Sequence, residues 1–146
     1  MKTPFTLYTF LFLLLSATLT LDAQNPAIDS LKQVIATTKV DTVKGRTLCR
    51  LCQAQRRTGE YKEALQSVQK GLAIVQEAKD RLGEGECYIK MSGYYISQSN
   101  YTEALGCIQK SLDIHEKWGQ PADVAKSLMQ MGHLYLHQYD FPLAIT

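Results

Sequence analysis

Two stretches decide the fold: GEYKEALQSVQKGLAIVQEAKD, Gly59–Asp80, and SNYTEALGCIQKSLDIHEKWGQ, Ser99–Gln120. Laid over each other at an offset of 40 residues, Tyr61 falls on Tyr101, Glu63-Ala64-Leu65 on Glu103-Ala104-Leu105, Gln69-Lys70 on Gln109-Lys110, and Leu72 on Leu112. The C-terminal YDFPLAIT opens a third copy, with Phe141 and Ala144-Ile145 in the same register. A repeat of this length marks supersecondary units stacked in a row. The two full copies share no catalytic residue, so what recurs is packing.

Within each copy the apolar positions follow a helix. Ala64, Leu65, Val68, Leu72 and Val75 step by three or four, as do Ala104, Leu105, Ile108 and Leu112; His115 stands where Val75 stood and breaks the pattern. The first half of each unit is helical too: Leu48, Leu51, Cys52 and Gln55 correspond to Tyr88, Met91, Ser92 and Tyr95, then to Leu128, Met131, Gly132 and Tyr135. The strict alternation of a strand is missing. The expected fold is all-α, an α-solenoid of antiparallel helix pairs truncated in its third repeat. Its units are about 41–80, 81–120 and 121–146, the last incomplete.

Punctuation agrees. Gly59 and Ser99-Asn100 sit where a helix exits through a left-handed residue. Gly119-Gln120-Pro121 closes one unit and opens the next, and Asn25-Pro26 reads as an N-cap followed by a first-turn proline. Ile28, Leu31, Val34 and Ile35 predict a leading amphipathic helix within 24–40 that covers the first unit. Ala64, Ala104 and Ala144, with Cys52, Ser92 and Gly132 opposite them, are expected where helices approach closely.

Composition narrows the function. Sixteen basic side chains against 14 acidic leave a net charge of +2 on 146 residues, with no basic block, which speaks against nucleic acid as the partner of this segment. Residues 1–23 are of another kind: Lys2, an apolar run from Leu7 to Leu15, then Leu21-Asp22-Ala23. That is the layout of a cleaved secretory signal peptide. As a membrane anchor the segment is short and carries too many Thr residues. The expected location is exported, periplasmic or otherwise extracytoplasmic in a bacterium.

Leu128…Met131-Gly132…Tyr135, Gly59-Glu60-Tyr61…Ala64 and Asn100-Tyr101…Ala104 together resemble the tetratricopeptide repeat, in a longer 40-residue variant with Asp80-Arg81-Leu82-Gly83-Glu84 as the linker. The likeness covers roughly Thr42 to Thr146; Cys52 and Gln55 depart from it, where the family carries Gly and Tyr. The resemblance implies a non-enzymatic scaffold module that binds a protein or peptide without a cofactor. The leading region is also similar to the N-terminal part of exported bacterial repeat proteins. Many of those continue into a membrane helix and a histidine kinase or DNA-binding regulator, so the alternative expectation is a sensory region whose output part lies elsewhere. The early stop in unit three suggests a fragment of a longer solenoid; end-to-end self-association is the other way to cover its last helix.

The remaining motifs read as packing or groove residues. Cys49-Arg50-Leu51-Cys52 is a C-x-x-C, but mid-helix and with no strand before it, unlike a redox site. Cys87 and Cys107 are isolated, so neither zinc nor a disulfide scaffold is expected. His133 and His137 share a helix face at i, i+4 but lack a third ligand, and no metal site is expected. Asn100-Tyr101-Thr102 fits the glycosylation pattern while also forming the turn. The functional surface is instead the groove lined by the first helices. From unit one it takes Arg46, Cys49, Gln53, Arg56 and Arg57. Unit two supplies Glu86, Ile89, Gly93 and Ile96, and unit three Lys126, Met129, His133 and His137. Basic residues at one end suit a peptide with an acidic end. The family's carboxylate-clamp positions are held here by Cys49 and Gln53, which does not support that activity.

Overall fold

The computed structural model describes residues 25–140, and these form six α-helices with no strand among them. They are α1 (Pro26–Thr37), α2 (Asp41–Thr58), α3 (Tyr61–Glu77), α4 (Arg81–Ser97), α5 (Tyr101–Trp118) and α6 (Pro121–Asp140). The signal-peptide expectation, and Phe141, Ala144 and Ile145, lie outside the described residues.

The helix ends follow from local chemistry. Asn25 caps α1, its side-chain oxygen accepting from the Ala27 amide at 3.1 Å, and Pro26 takes the first helical position. Three successive exits reuse one bond pattern. The amides of Glu60, Asp80 and Asn100 donate to the carbonyls of Gln55, Val75 and Tyr95 at 2.9, 2.8 and 2.9 Å. Each is the six-to-one bond of a Schellman ending. The left-handed residue it needs is Gly59, Lys79 or Ser99, with φ of 84°, 54° and 57°. The fourth exit differs: Gly119 is extended, at φ −92°, before Pro121 opens α6.

The pairs α2/α3 and α4/α5 are packed hairpins, α6 lies on α5, and the first helices α2, α4 and α6 touch in sequence. One core cluster gathers Cys49, Cys52, Val68, Val75, Cys87 and Met91 around Ala64; a second holds Ile96, Ile108 and Leu134 around Ala104. Ala64 and Ala104 are fully buried, at the close contacts their alignment predicts. Gln55, where the repeat favours an aromatic, is satisfied instead by the Ser67 hydroxyl, which donates to its side-chain carbonyl at 2.7 Å. The register also extends backwards. Ile28, Leu31 and Ile35 lie 40 residues before Val68, Gly71 and Val75, and α1 packs on α2 as α3 packs on α4. It occupies the place of a second helix ahead of unit one.

The tightest approaches occur at glycines other than the expected one. A Cβ on Gly71 would lie 2.7 Å from both the Gly45 carbonyl and Cys49 Sγ, so α2 and α3 cross backbone against backbone. Gly132 meets nothing within 4 Å and is exposed. Its expected packing role is not used, because among the described residues no second helix lies against that face of α6. Leu128 and Tyr135 are exposed for the same reason.

Cysteine pairing corrects a second expectation. Cys49 and Cys87 form a disulfide between α2 and α4, with Cα atoms 5.2 Å apart. Cys52 and Cys107 are free and buried, and burial pushes the Cys52 thiol up to about 11. The 40-residue register aligns Cys49 with Ile89, so the repeat conceals a pairing that comes from the side-by-side packing of adjacent first helices.

Asp80 ties the two full units together. It N-caps α4 by accepting from the Gly83 amide at 3.0 Å, and it binds Arg46 through two bonds of 2.6 and 2.5 Å. The Arg46 hydrogen bonds hold its carboxyl below the usual carboxylate value. A lowered acid pKa contributes stability that is complete above the ordinary value near 4 and is lost as pH falls through the folded one. Asp80→Ala is expected to cost about 1–3 kcal/mol at neutral pH. In urea melts the gap to wild type should shrink as the pH drops below about 4; a pH-independent gap contradicts the assignment.

Candidate functional site

Successive first helices place side chains 40 residues apart in rows. Arg46, Glu86 and Lys126 make one row, and Arg50, Lys90 and Gln130 a second; Gln53, Gly93 and His133 make a third. The first two rows, with His133 of the third, line a cleft of about 540 Å³ between α2, α4 and α6, and Leu82, Ile89 and Met129 are its apolar lining. An adjoining recess of about 60 Å³ shares Ile89, Lys90 and Gln130 with it and adds Gln53, Arg56 and Gly93. A Cβ on Gly93 would fit in ordinary contact with the recess wall, 3.5 Å from Gln130 Nε2 and 3.7 Å from Arg56 Nε.

The charges are unevenly neutralised. Arg46 is held by Asp80, Lys126 by Asp123 at 2.8 Å, and Arg50 reaches Glu86 only at 3.4 Å. Lys90 takes part in none of the four ion pairs among the described residues. Its ammonium donates to the Gln53 side-chain carbonyl at 2.7 Å. Burial lowers its pKa; Glu86 opposes the shift, while Arg50 and Arg57 reinforce it. A desolvated, unpaired cation among other cations is a binding point for an anion.

Of the groove residues expected from the sequence, the main cleft brings together Arg46, Glu86, Ile89, Lys126, Met129 and His133, and the recess Gln53, Arg56 and Gly93. Cys49 and Ile96 are corrections. Cys49 is wholly buried in its disulfide, and Ile96 is buried in the cluster of Ala104, Ile108 and Leu134. The first helices α2 and α4 each pack against their own second helix and also against the next first helix. The buried face of each is therefore wider than a single hairpin requires. Arg57 and His137 are exposed and line neither cavity; the His137 carbonyl accepts from the Tyr101 hydroxyl at 3.2 Å. No cluster of three or more His, Cys, Asp or Glu that could hold a metal occurs among the described residues. Arg50, Lys90 and Gln130 join the lining beyond the residues expected from the sequence, although the repeat register puts them in one row, and His115 joins it from a second helix.

The family model for the tetratricopeptide repeat matches residues 44–117, the span of the two complete hairpins. The chain belongs to the tetratricopeptide repeat family. A comparison with curated proteins returns no match. Tetratricopeptide repeats are protein-interaction modules, and in this one the cleft is lined mainly by residues of the first helices. No helix among the described residues is long and apolar enough to cross a membrane.

Proposed function

We propose that this tetratricopeptide repeat protein is an exported scaffold whose cleft holds an acidic segment of a partner protein. The observation that carries the reading is Lys90, a partly buried ammonium whose hydrogen-bond partner among the described residues is a neutral amide, flanked by Arg50 and Arg56. A carboxylate arriving there gains a charge-assisted hydrogen bond at a site already desolvated. Ile89 and Met129 supply apolar contact beside it, the mixture that holds an extended peptide in a groove. Export is supported by the leader-like residues 1–23 and by the Cys49–Cys87 disulfide, which persists in oxidising compartments.

The test is fluorescence anisotropy with a labelled Glu/Asp-rich peptide and its Gln/Asn counterpart. The acidic peptide is expected to bind, more weakly as salt rises, and Arg56→Glu is expected to weaken it further. Equal binding of both peptides, or of neither, rejects the reading.

A further inference from the structure

His115 interrupts the apolar face of its unit, and the structure gives the interruption a place and a direction. Its counterpart Val75 is fully buried, and His115 is 3% exposed. The imidazole is anchored on one side only. Nδ1 lies 2.9 Å from Ser127 Oγ and 3.4 Å from Ser111 Oγ, and the two hydroxyls are 3.0 Å from each other. Both serines are fully buried. They replace Gly71 and Cys87 of the preceding junction, so three substitutions at equivalent positions convert an apolar contact into a polar bracket around one ring.

The other edge of the ring faces the cleft. No buried side-chain nitrogen or oxygen among the described residues is left without a hydrogen-bond partner, and the bonds to the imidazole all fall on Nδ1. Nε2 is therefore the atom through which this otherwise buried side chain joins the cleft lining. Gly85 makes room for it: a Cβ on that residue would sit 2.5 Å from Nε2. When Ser127 donates to Nδ1, Nε2 carries the proton and points a donor at the cleft. Lys126 lies on the same lining, its neighbour Asp123 already occupied by the Lys126 ammonium at 2.8 Å and the Gln120 amide at 3.1 Å.

We infer that His115 Nε2 is a specificity-determining contact that donates to a carboxylate of the acidic segment bound in the cleft, the ring being seated against Gly85. The inference rests on the cleft reading above and adds a second-helix residue to a surface otherwise built by first helices. The two serines hold the ring in one orientation, so Nε2 is already placed before a ligand arrives, and it is the donor in the tautomer in which Nδ1 accepts from Ser127.

The experiment titrates the same labelled acidic peptide against wild type, His115→Val, His115→Gln and Gly85→Ala. Valine is what the preceding unit carries, so that variant keeps the packing, and thermal melts check it. Glutamine restores a donor near Nε2. Gly85→Ala leaves His115 in the chain and displaces its ring. Loss of one charge-assisted hydrogen bond predicts about tenfold weaker binding for His115→Val and Gly85→Ala, with His115→Gln recovering most of it. Wild-type affinity in His115→Val overturns the inference while leaving the cleft reading intact. Absence of acidic-peptide binding by wild type overturns both.

Discussion

Replacing both Cys49 and Cys87 by serine is expected to lower stability by about 4 kcal/mol, the chain-entropy value for a closed loop of this size. The bond joins residues separated by 38 positions, on helices that touch only because two units are stacked. Without it, the unfolded chain regains the freedom of that loop while the folded state keeps its apolar contacts. The midpoint of a thermal melt should fall on the order of 10–20 °C. Both sulfurs are wholly buried, so a reductant should act slowly on the folded protein and quickly once denaturant opens it. Cys52 sits one helical turn from Cys49, but burial pushes its thiol up to about 11. In the folded protein it carries almost no thiolate at neutral pH and is a poor nucleophile towards the bond. With alkylating reagent present in excess as the unreduced chain is denatured, so that thiols are capped before they exchange, Cys52 and Cys107 alone should be labelled. Labelling of all four cysteines, or melts of wild type and the double variant that coincide, would remove the disulfide from this account.

The disulfide also marks where the sequence stops being readable. Helix pairing, the left-handed exits at Gly59 and Ser99 and the burial of Ala64 and Ala104 were legible because each repeats in register, and a repeated constraint is visible in one chain. The groove rows were legible for the same reason. Arg50, Lys90 and Gln130 occupy one register position and could have been found by extending the alignment that placed Arg46, Glu86 and Lys126. Cys49 and Ile96 were misplaced because a single hairpin predicts one buried stripe, whereas a stacked hairpin buries a second against the next unit. The Cys49–Cys87 pairing and the bracket of Ser111, His115 and Ser127 are departures from the repeat. They join positions that the alignment does not equate, and only the stacking brings them together. The fold and the groove rows are legible where the repeat is kept, and the disulfide and the histidine bracket are hidden where it is broken.

Lys90→Met is expected to strengthen the fold and abolish most of the binding, two effects of opposite sign from one side chain. The ammonium is partly desolvated, pairs with no carboxylate among the described residues, and has its pKa lowered chiefly by that burial. For a base whose folded pKa is depressed, the cost of holding the charge is complete below the folded value. It disappears as pH rises through that value towards the ordinary 10.5. Methionine fills similar volume without a charge and should add about 1 kcal/mol of stability at neutral pH. That advantage should narrow as a urea titration is repeated at rising alkaline pH. Binding moves the other way. Removing one partner of a desolvated charge pair costs about 2 kcal/mol or more, on the order of thirtyfold in Kd for the acidic peptide. Lys90→Glu, which sets like charges against each other beside Glu86, should leave no measurable binding. A stability gain with unchanged affinity would show that Lys90 is merely a poorly solvated surface residue. A stability loss would show that its bond to Gln53 outweighs its desolvation. Only the combination of a firmer fold and a weaker grip fits a cation kept in place for a ligand, since a side chain that costs stability in the free protein repays it when a carboxylate arrives.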